Sequence, residues 1–296
     1  MHCYLKNNNK TRWIPVVLLA VFSIPAMAQM PAYRLFREDG KKTDFKKMTE
    51  AAAGADVVLF GELHNDPIAH WLQLELTRSL HAKKGVMLVL GAEMFETDNQ
   101  LILDEYLEGL IPEEKFEEEV KLWKNYKTDY KPLVLFAREH QLRFIATNIP
   151  RRYANIVFRQ GLPVLDGISE AAKGYITPLP LEYDTSLQSY SSLSGAEGPM
   201  GHGSANLVDA QAIKDATMAH FILANRDPGS LFLHFNGAYH SDHGESINWF
   251  LKRADPGLEI VTISTVSQDE IDRLEEKNRG KADFIICVPS TMTKTH

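Results

Sequence analysis

The chain has 296 residues, 24% of them charged, and a formal net charge of −7. That acidic balance argues against nucleic acid as a partner, because phosphate backbones are bound by an excess of Lys and Arg. With two cysteines, Cys3 and Cys287, it carries no disulfide framework, and a chain this long buries enough core to do without one.

The first 28 residues have the layout of a secretory signal. Lys6, Lys10 and Arg12 make a positive start, Trp13 to Ile24 an apolar stretch, and Ala26-Met27-Ala28 a small-residue cleavage site. Cleavage after Ala28 leaves residues 29–296, takes the net charge to −10, and yields a periplasmic or secreted product. Cys3 lies on the wrong side of the apolar stretch to carry a lipid, so no lipoprotein anchor is expected.

Short apolar runs then alternate with helical patterns. Val57–Phe60 is the first expected strand, ending at Gly61. Asp66 follows as an N-cap, with Pro67 as the first helical residue. Ile68, Trp71, Leu72, Leu76 and Leu80 keep helical spacing up to Lys83, Lys84 and Gly85. Val86–Leu90 is the next strand, residues 98–126 read as helical, and Pro132 opens a helix through His140. Arg143–Ala146 is a third strand and Tyr153–Gln160 a short helix. Residues 177–204, rich in Pro, Ser and Gly, read as a mobile connection or lid. A helix over 205–225 and strands at Leu231–Phe235, Ile260–Ile263 and Phe284–Val288, with a helix around Ile247–Lys252, complete the pattern. The alternation predicts one α/β domain: a mostly parallel sheet with helices on both faces, in α/β/α layers.

Ligands of open parallel sheets sit beyond the carboxyl ends of the strands, and there the chemistry collects. The exits read Gly61-Glu62-Leu63-His64, Gly91-Ala92-Glu93, Thr147 to Arg152, and His234 to His240, with Asp242 and His243 just beyond. The opposite strand ends are bland. Gly-x-x-His occurs at 61–64 and again at 237–240, where glycine permits a tight turn or close backbone approach. His64, Glu93 and His240 are therefore the candidate trio for acid/base catalysis or for a divalent metal such as zinc, iron or manganese, and His240-x-x-His243 offers a further ligand. Taken singly, each histidine is better explained as a loop hydrogen-bonder; the three together point to function.

Aromatic and basic residues crowd the same loops: Trp123, Tyr126, Tyr130, Tyr153, Tyr239 and the pair Arg151-Arg152. Haem, a flat anionic ligand, requires such walls, arginines for its propionates and a His or Tyr on iron. No Ser nucleophile elbow, phosphate-binding glycine loop or CxxC is present.

The strings FGELHND at 60–66, GAEMF at 91–95, Tyr130-Lys131-Pro132 through FAREH at 136–140, ATNIPRRYA at 146–154, DAQAIKDATMA at 209–219 and HFNGAYHSDHG at 234–244 together resemble the ChaN-like haem-binding proteins. Those belong to a superfamily with the Tiki/TraB proteins and erythromycin esterases. The resemblance implies an α/β/α fold and haem or iron handling outside the cytoplasm. It also implies a homodimer able to enclose stacked haems, delivery to an outer-membrane haem transport system, and a tyrosine on iron. Tyr153, after Arg151-Arg152 at a strand exit, and Tyr130, which opens the YKP motif, are the two candidates, with Tyr153 preferred; His64 and His240 are the histidine alternatives. The wider superfamily implies instead a hydrolase of peptide or ester bonds using His64, Glu62, Glu93 and His240, with a metal or with a His/Glu base. Both readings stay open at this stage.

Overall fold

The computed structural model describes residues 1–2, 31–193 and 206–296. The expected export signal, from residue 3 onward, and the 194–204 part of the expected lid lie outside the described residues. The chain divides into two compact units, Met1–Pro31 and Ala32–His296, and the second is described below.

Eight strands form one sheet: β1 (Arg34–Arg37), β2 (Lys42–Thr43), β3 (Val57–Glu62), β4 (Leu88–Glu96), β5 (Phe144–Asn148), β6 (Leu231–Gly237), β7 (Ile260–Gln268) and β8 (Phe284–Pro289). Their order is β2-β1-β8-β7-β3-β6-β4-β5. From β8 to β5 all neighbours are parallel, while β1 runs antiparallel to β8 and β2 antiparallel to β1. The helices are α1 (Phe45–Gly54), α2 (Pro67–Lys84), α3 (Gln100–Leu107), α4 (Glu113–Glu119), α5 (Lys131–Glu139), α6 (Arg151–Gln160), α7 (Glu170–Lys173), α8 (Gln188–Ser191), α9 (Leu207–Ala224) and α10 (Ile247–Ala254). Among the described residues no helix is long and apolar enough to cross a membrane.

The central strands are apolar throughout because both faces are covered. Side chains alternate: Val58, Phe60, Leu88, Leu90, Leu231 and Leu233 share a core with α2 and α5. Val57, Leu59, Val89 and Phe232 pack instead with Met218 and Ile222 of α9 and Leu251 of α10. Helices thus cover both faces, as the α/β expectation requires. Adjacent strands β3 and β6 send their chains to opposite faces, through α2 and α10 respectively, and the crevice opens between their ends.

Several boundaries move. The second expected strand begins at Leu88, after a 3-10 turn at Gly85–Met87, and runs on to Glu96, so Glu93 lies inside it. The helix expected at 98–126 breaks into α3 and α4, because Gly109 sits at φ +78 and Pro112 restarts the chain. Residues Tyr126–Tyr130 form a π-helical turn, with the Lys131 N–H bonded to the Tyr126 carbonyl, that leads into α5. In the expected lid, the described residues 177–193 include α8, whose Tyr190 is wholly buried. The antiparallel pair β1–β2 and helix α1 had no counterpart in the sequence reading. Cys287 is free and buried.

Candidate functional site

A cavity of about 830 Å³ opens at the carboxyl ends of β3, β4, β5 and β6. Glu62, His64, Glu93, Glu96, Arg151 and His240 line it, with Lys214 and Gln211 from α9 and Trp123 and Tyr239 as aromatic walls. It is built in two halves, one from each face of the sheet.

The first half centres on Glu62, which on β3 shares the face of Val58 and Phe60 and so meets α2 and the π turn. One carboxylate oxygen accepts from His64 Nδ1 at 2.8 Å and from the Tyr130 hydroxyl at 2.7 Å. The other accepts from Gln73 Nε2 at 2.5 Å and lies 3.5 Å from His70 Nδ1. His70 Nε2 in turn lies 3.3 Å from Asp129. A buried carboxylate is tolerable only when so satisfied. His64 packs its ring edge-on to Trp123 at 4.9 Å. Burial works against its charge, but the bond from Glu62 and the nearby charge of Glu93 outweigh this and raise its pKa.

The second half centres on Glu93, held by the Gly237 N–H at 2.8 Å and lying 3.5 Å from His240 Nε2. His240 Nδ1 bonds Asp215 of α9 at 2.5 Å. Burial opposes charge on His240, yet Glu93 and Asp215 push its pKa up to about 10. Burial would likewise raise Glu93, but His240, His64 and the Gly237 N–H hold it well below the usual carboxylate range. His240 is therefore an imidazolium clamped between two carboxylates, and His64 a more exposed imidazole held by one. Beneath them His234, lowered to about 4 by burial, bonds Thr147 at 2.8 Å and Asn236 at 3.1 Å.

The two Gly-x-x-His glycines are needed for close approach. A Cβ on Gly237 would sit 2.7 Å from His64 Nε2, and one on Gly61 2.8 Å from the Ala238 Cα.

His64, Glu62, Glu93 and His240 thus share the cavity, but other expected site residues do not. His243 turns away at φ +62 and lines a separate pocket with Lys252, Lys281 and Asp283. As for a metal, among the described residues no group of three or more His, Cys, Asp or Glu is gathered to hold one. Glu62 pairs with His64 through Nδ1, and His240 pairs with Glu93 and Asp215. Tyr130 is 1% exposed, and its hydroxyl is spent on Glu62. Tyr153 stays off the cavity wall: α6 turns Arg151 and Ala154 to the cavity, while Tyr153 packs with Ile149 and Val157 beneath the Arg152 guanidinium, 4.4 Å from its ring centre. Neither tyrosine lines the cavity. Arg151 and Arg152 are ion-paired with Glu96 and Asp98. Lys214 lines the wall without an ion pair among the described residues.

Sequence reasoning missed Asp215, Gln211, Lys214, Glu96, Gln73 and the supporting role of His70. A signal existed for three of them: Gln211, Lys214 and Asp215 lie in a helix otherwise rich in Ala, at spacings that share one face.

The model of a family described as haem-binding uptake, Tiki superfamily, ChaN matches residues 48–251. Among solved structures, ChaN of Campylobacter jejuni, which shows cofacial haem binding to that protein, superposes with a TM-score of 0.62 at 18% identity, over 86% of this chain and 96% of that one. The erythromycin esterase EreC, as a histidine-to-asparagine mutant in its open conformation, gives a TM-score of 0.51 at 13% identity, over 90% and 99% of the two chains. At such identities the likeness is one of fold. The chain is also 26% identical over 218 residues to the chloroplastic protein RETICULATA-RELATED 5 of Arabidopsis thaliana, covering 68% of this chain but only 29% of the relative's length.

Proposed function

This chain belongs to the ChaN family of haem-binding uptake proteins in the Tiki superfamily, and on that premise we propose that it binds haem in the cavity at the strand ends. The family match over 48–251 is the observation that carries the reading. The residues present are compatible with the ligand. At about 830 Å³ the cavity is within the range that encloses most of a small ligand. Trp123, Ile149, Ala238 and Tyr239 give it apolar surface. His64, with its side chain 38% exposed and its Nδ1 held by Glu62, is arranged as metal-binding histidines usually are, leaving Nε2 for iron. Lys214 is the cation available for a propionate. Haem, when bound, would supply its iron chemistry, while the chain's contribution is to orient the imidazole and screen the ligand from water.

The physiological role we propose is haem or iron acquisition or storage outside the cytoplasm, after export directed by residues 1–28. A second copy of the chain would close over the ligand, and an outer-membrane haem transport system would be the partner. Cell fractionation tests the export: protein found only in the cytoplasm would end it.

One observation favours a second reading, hydrolysis of an ester or peptide. Two carboxylate-held histidines, His64 on Glu62 and His240 between Glu93 and Asp215, share the cavity, and paired histidines of this kind serve hydrolases as base and acid. On this reading His64 takes a proton from water as the water oxygen adds to the carbonyl, His240 stabilises the developing oxyanion, and the proton passes to the alcohol or amine as its bond to the carbonyl carbon breaks. A haem titration followed by absorbance separates the two. A saturable Soret band lost in His64→Ala supports haem binding. Absence of saturable binding sinks it and directs effort to hydrolysis dependent on His64, assayed with and without chelator.

A further inference from the structure

Asp215 is wholly buried, and both of its oxygens are used. One accepts from His240 Nδ1 at 2.5 Å, the other from the Tyr190 hydroxyl at 2.8 Å. Tyr190 is itself wholly buried and belongs to α8, in the segment that connects the α6–α7 region to α9. Further bonds seat that segment on α9 and on the loop between β6 and α10. Glu245 accepts from the backbone N–H of Gln188 at 3.0 Å and of Ser189 at 2.6 Å. Tyr239, the neighbour of His240, donates to the Ser189 carbonyl. Tyr183, edge-on to Tyr190 with centroids 5.4 Å apart, donates to Asp209 at 2.5 Å.

A buried carboxylate is tolerable only while donors satisfy its oxygens. Here one donor is the cavity histidine and the other comes from the docked segment. Removing either weakens the hold of Asp215 on the other, which is the condition for energetic coupling within a shared network. We propose that Asp215 is a positioning residue: it fixes the His240 imidazole against Glu93 and, through Tyr190, makes that orientation depend on the docking of residues 183–193. The proposal rests on the reading that this cavity is the functional site.

The test is made on the whole chain without added ligand. In the wild type, the His240 Nδ1 proton should give a far-downfield, hydrogen-bonded NMR resonance. Asp215→Asn should abolish it or move it strongly upfield. Tyr190→Phe should shift it and speed exchange of the Gln188 and Ser189 amides at least about tenfold, with the Leu233 amide in the core unchanged. His240→Gln should speed the same two amides, which is the reciprocal effect that linkage demands. An unchanged His240 resonance in Asp215→Asn overturns the proposal. If that variant does not fold, unchanged amide exchange in both Tyr190→Phe and His240→Gln overturns it. Failure of the haem reading shows separately, as absence of saturable haem binding by the wild type.

Discussion

Replacing Gly237 by Ala isolates what close approach does for the site. The backbone there, φ −58 and ψ 139, suits alanine, so no conformational strain is introduced. The new Cβ would stand 2.7 Å from His64 Nε2 and 2.9 Å from its Cε1, against about 3.5–4.0 Å for an ordinary contact. The ring must retreat by most of an ångström and so gives up its 2.8 Å bond to Glu62. Overpacking costs about 1–3 kcal/mol and a bond to a charged group about 1.5–3 kcal/mol. His64 is 38% exposed, so the ring swings toward water, which replaces part of what is lost. Stability should therefore fall by only about 1 kcal/mol. Gly61→Ala is the contrast: its Cβ meets the Ala238 Cα at 2.8 Å and the Ile263 carbonyl at 3.1 Å, backbone that the sheet holds still. That variant should lose about 3 kcal/mol or more. Urea denaturation measures both costs, and haem titration of Gly237→Ala should show affinity at least about tenfold weaker. Wild-type haem affinity in Gly237→Ala, with the His64 ring resonances unmoved, would refute the reasoning.

Lys214→Gln should weaken haem about fivefold to tenfold, the worth of about 1 kcal/mol, yet leave haem dimethyl ester unaffected; equal losses for both porphyrins in absorbance titrations would show that Lys214 does not meet a propionate. Tyr130→Phe and Tyr153→Phe should leave the haem spectrum unchanged, while Tyr130→Phe, which strips a donor from buried Glu62, should cost about 1–3 kcal/mol in urea; a lost charge-transfer band in either would restore a tyrosine to iron. His240 has a folded pKa of about 10 against 6.5 for a free imidazole, so its contribution is fully present below pH 6.5 and is lost as pH rises through about 10. Glu93 shifts the other way, and its contribution fades as pH falls below the ordinary carboxylate range. Thermal melts from pH 6 to 11 should accordingly fall less steeply for His240→Gln than for wild type; parallel curves would contradict the assigned charge.

The parallel sheet and the strand-exit cavity were legible because their signals are local. Apolar runs ending in Gly, Glu, His or Asn mark strands buried on both faces with polar carboxyl ends, and His64, Glu93 and His240 followed from that. What stayed hidden depends on distant pairing. Arg151 and Arg152 look like free cations until β4 and its following turn bring Glu96 and Asp98 beside them. The sequence favours Tyr153 over Tyr130 by its place at a strand exit, and only the packing of α5 and α6 shows that neither lines the cavity. His243 is lost to a left-handed residue that periodicity does not reveal. Asp215 sits more than a hundred residues after Glu93 on another element, so its place behind His240 appears only in three dimensions. The β1–β2 pair, four and two residues long, is too short to show a pattern.

The π-helical turn at Tyr126–Tyr130 makes the site sensitive to chain length at one spot. Its extra residue per turn lets Asp129 reach toward His70 while Tyr130 reaches Glu62. Deleting one residue would restore ordinary spacing and rotate what precedes α5 by about 100° relative to it. Strands would stay in register, since the change falls between elements, and the loss would be confined to Tyr126, Tyr130 and what they pack against. Glu62 would lose its phenolic donor, or His70 its carboxylate. A change that is nearly silent in most surface loops would here leave a folded chain with its pocket disconnected.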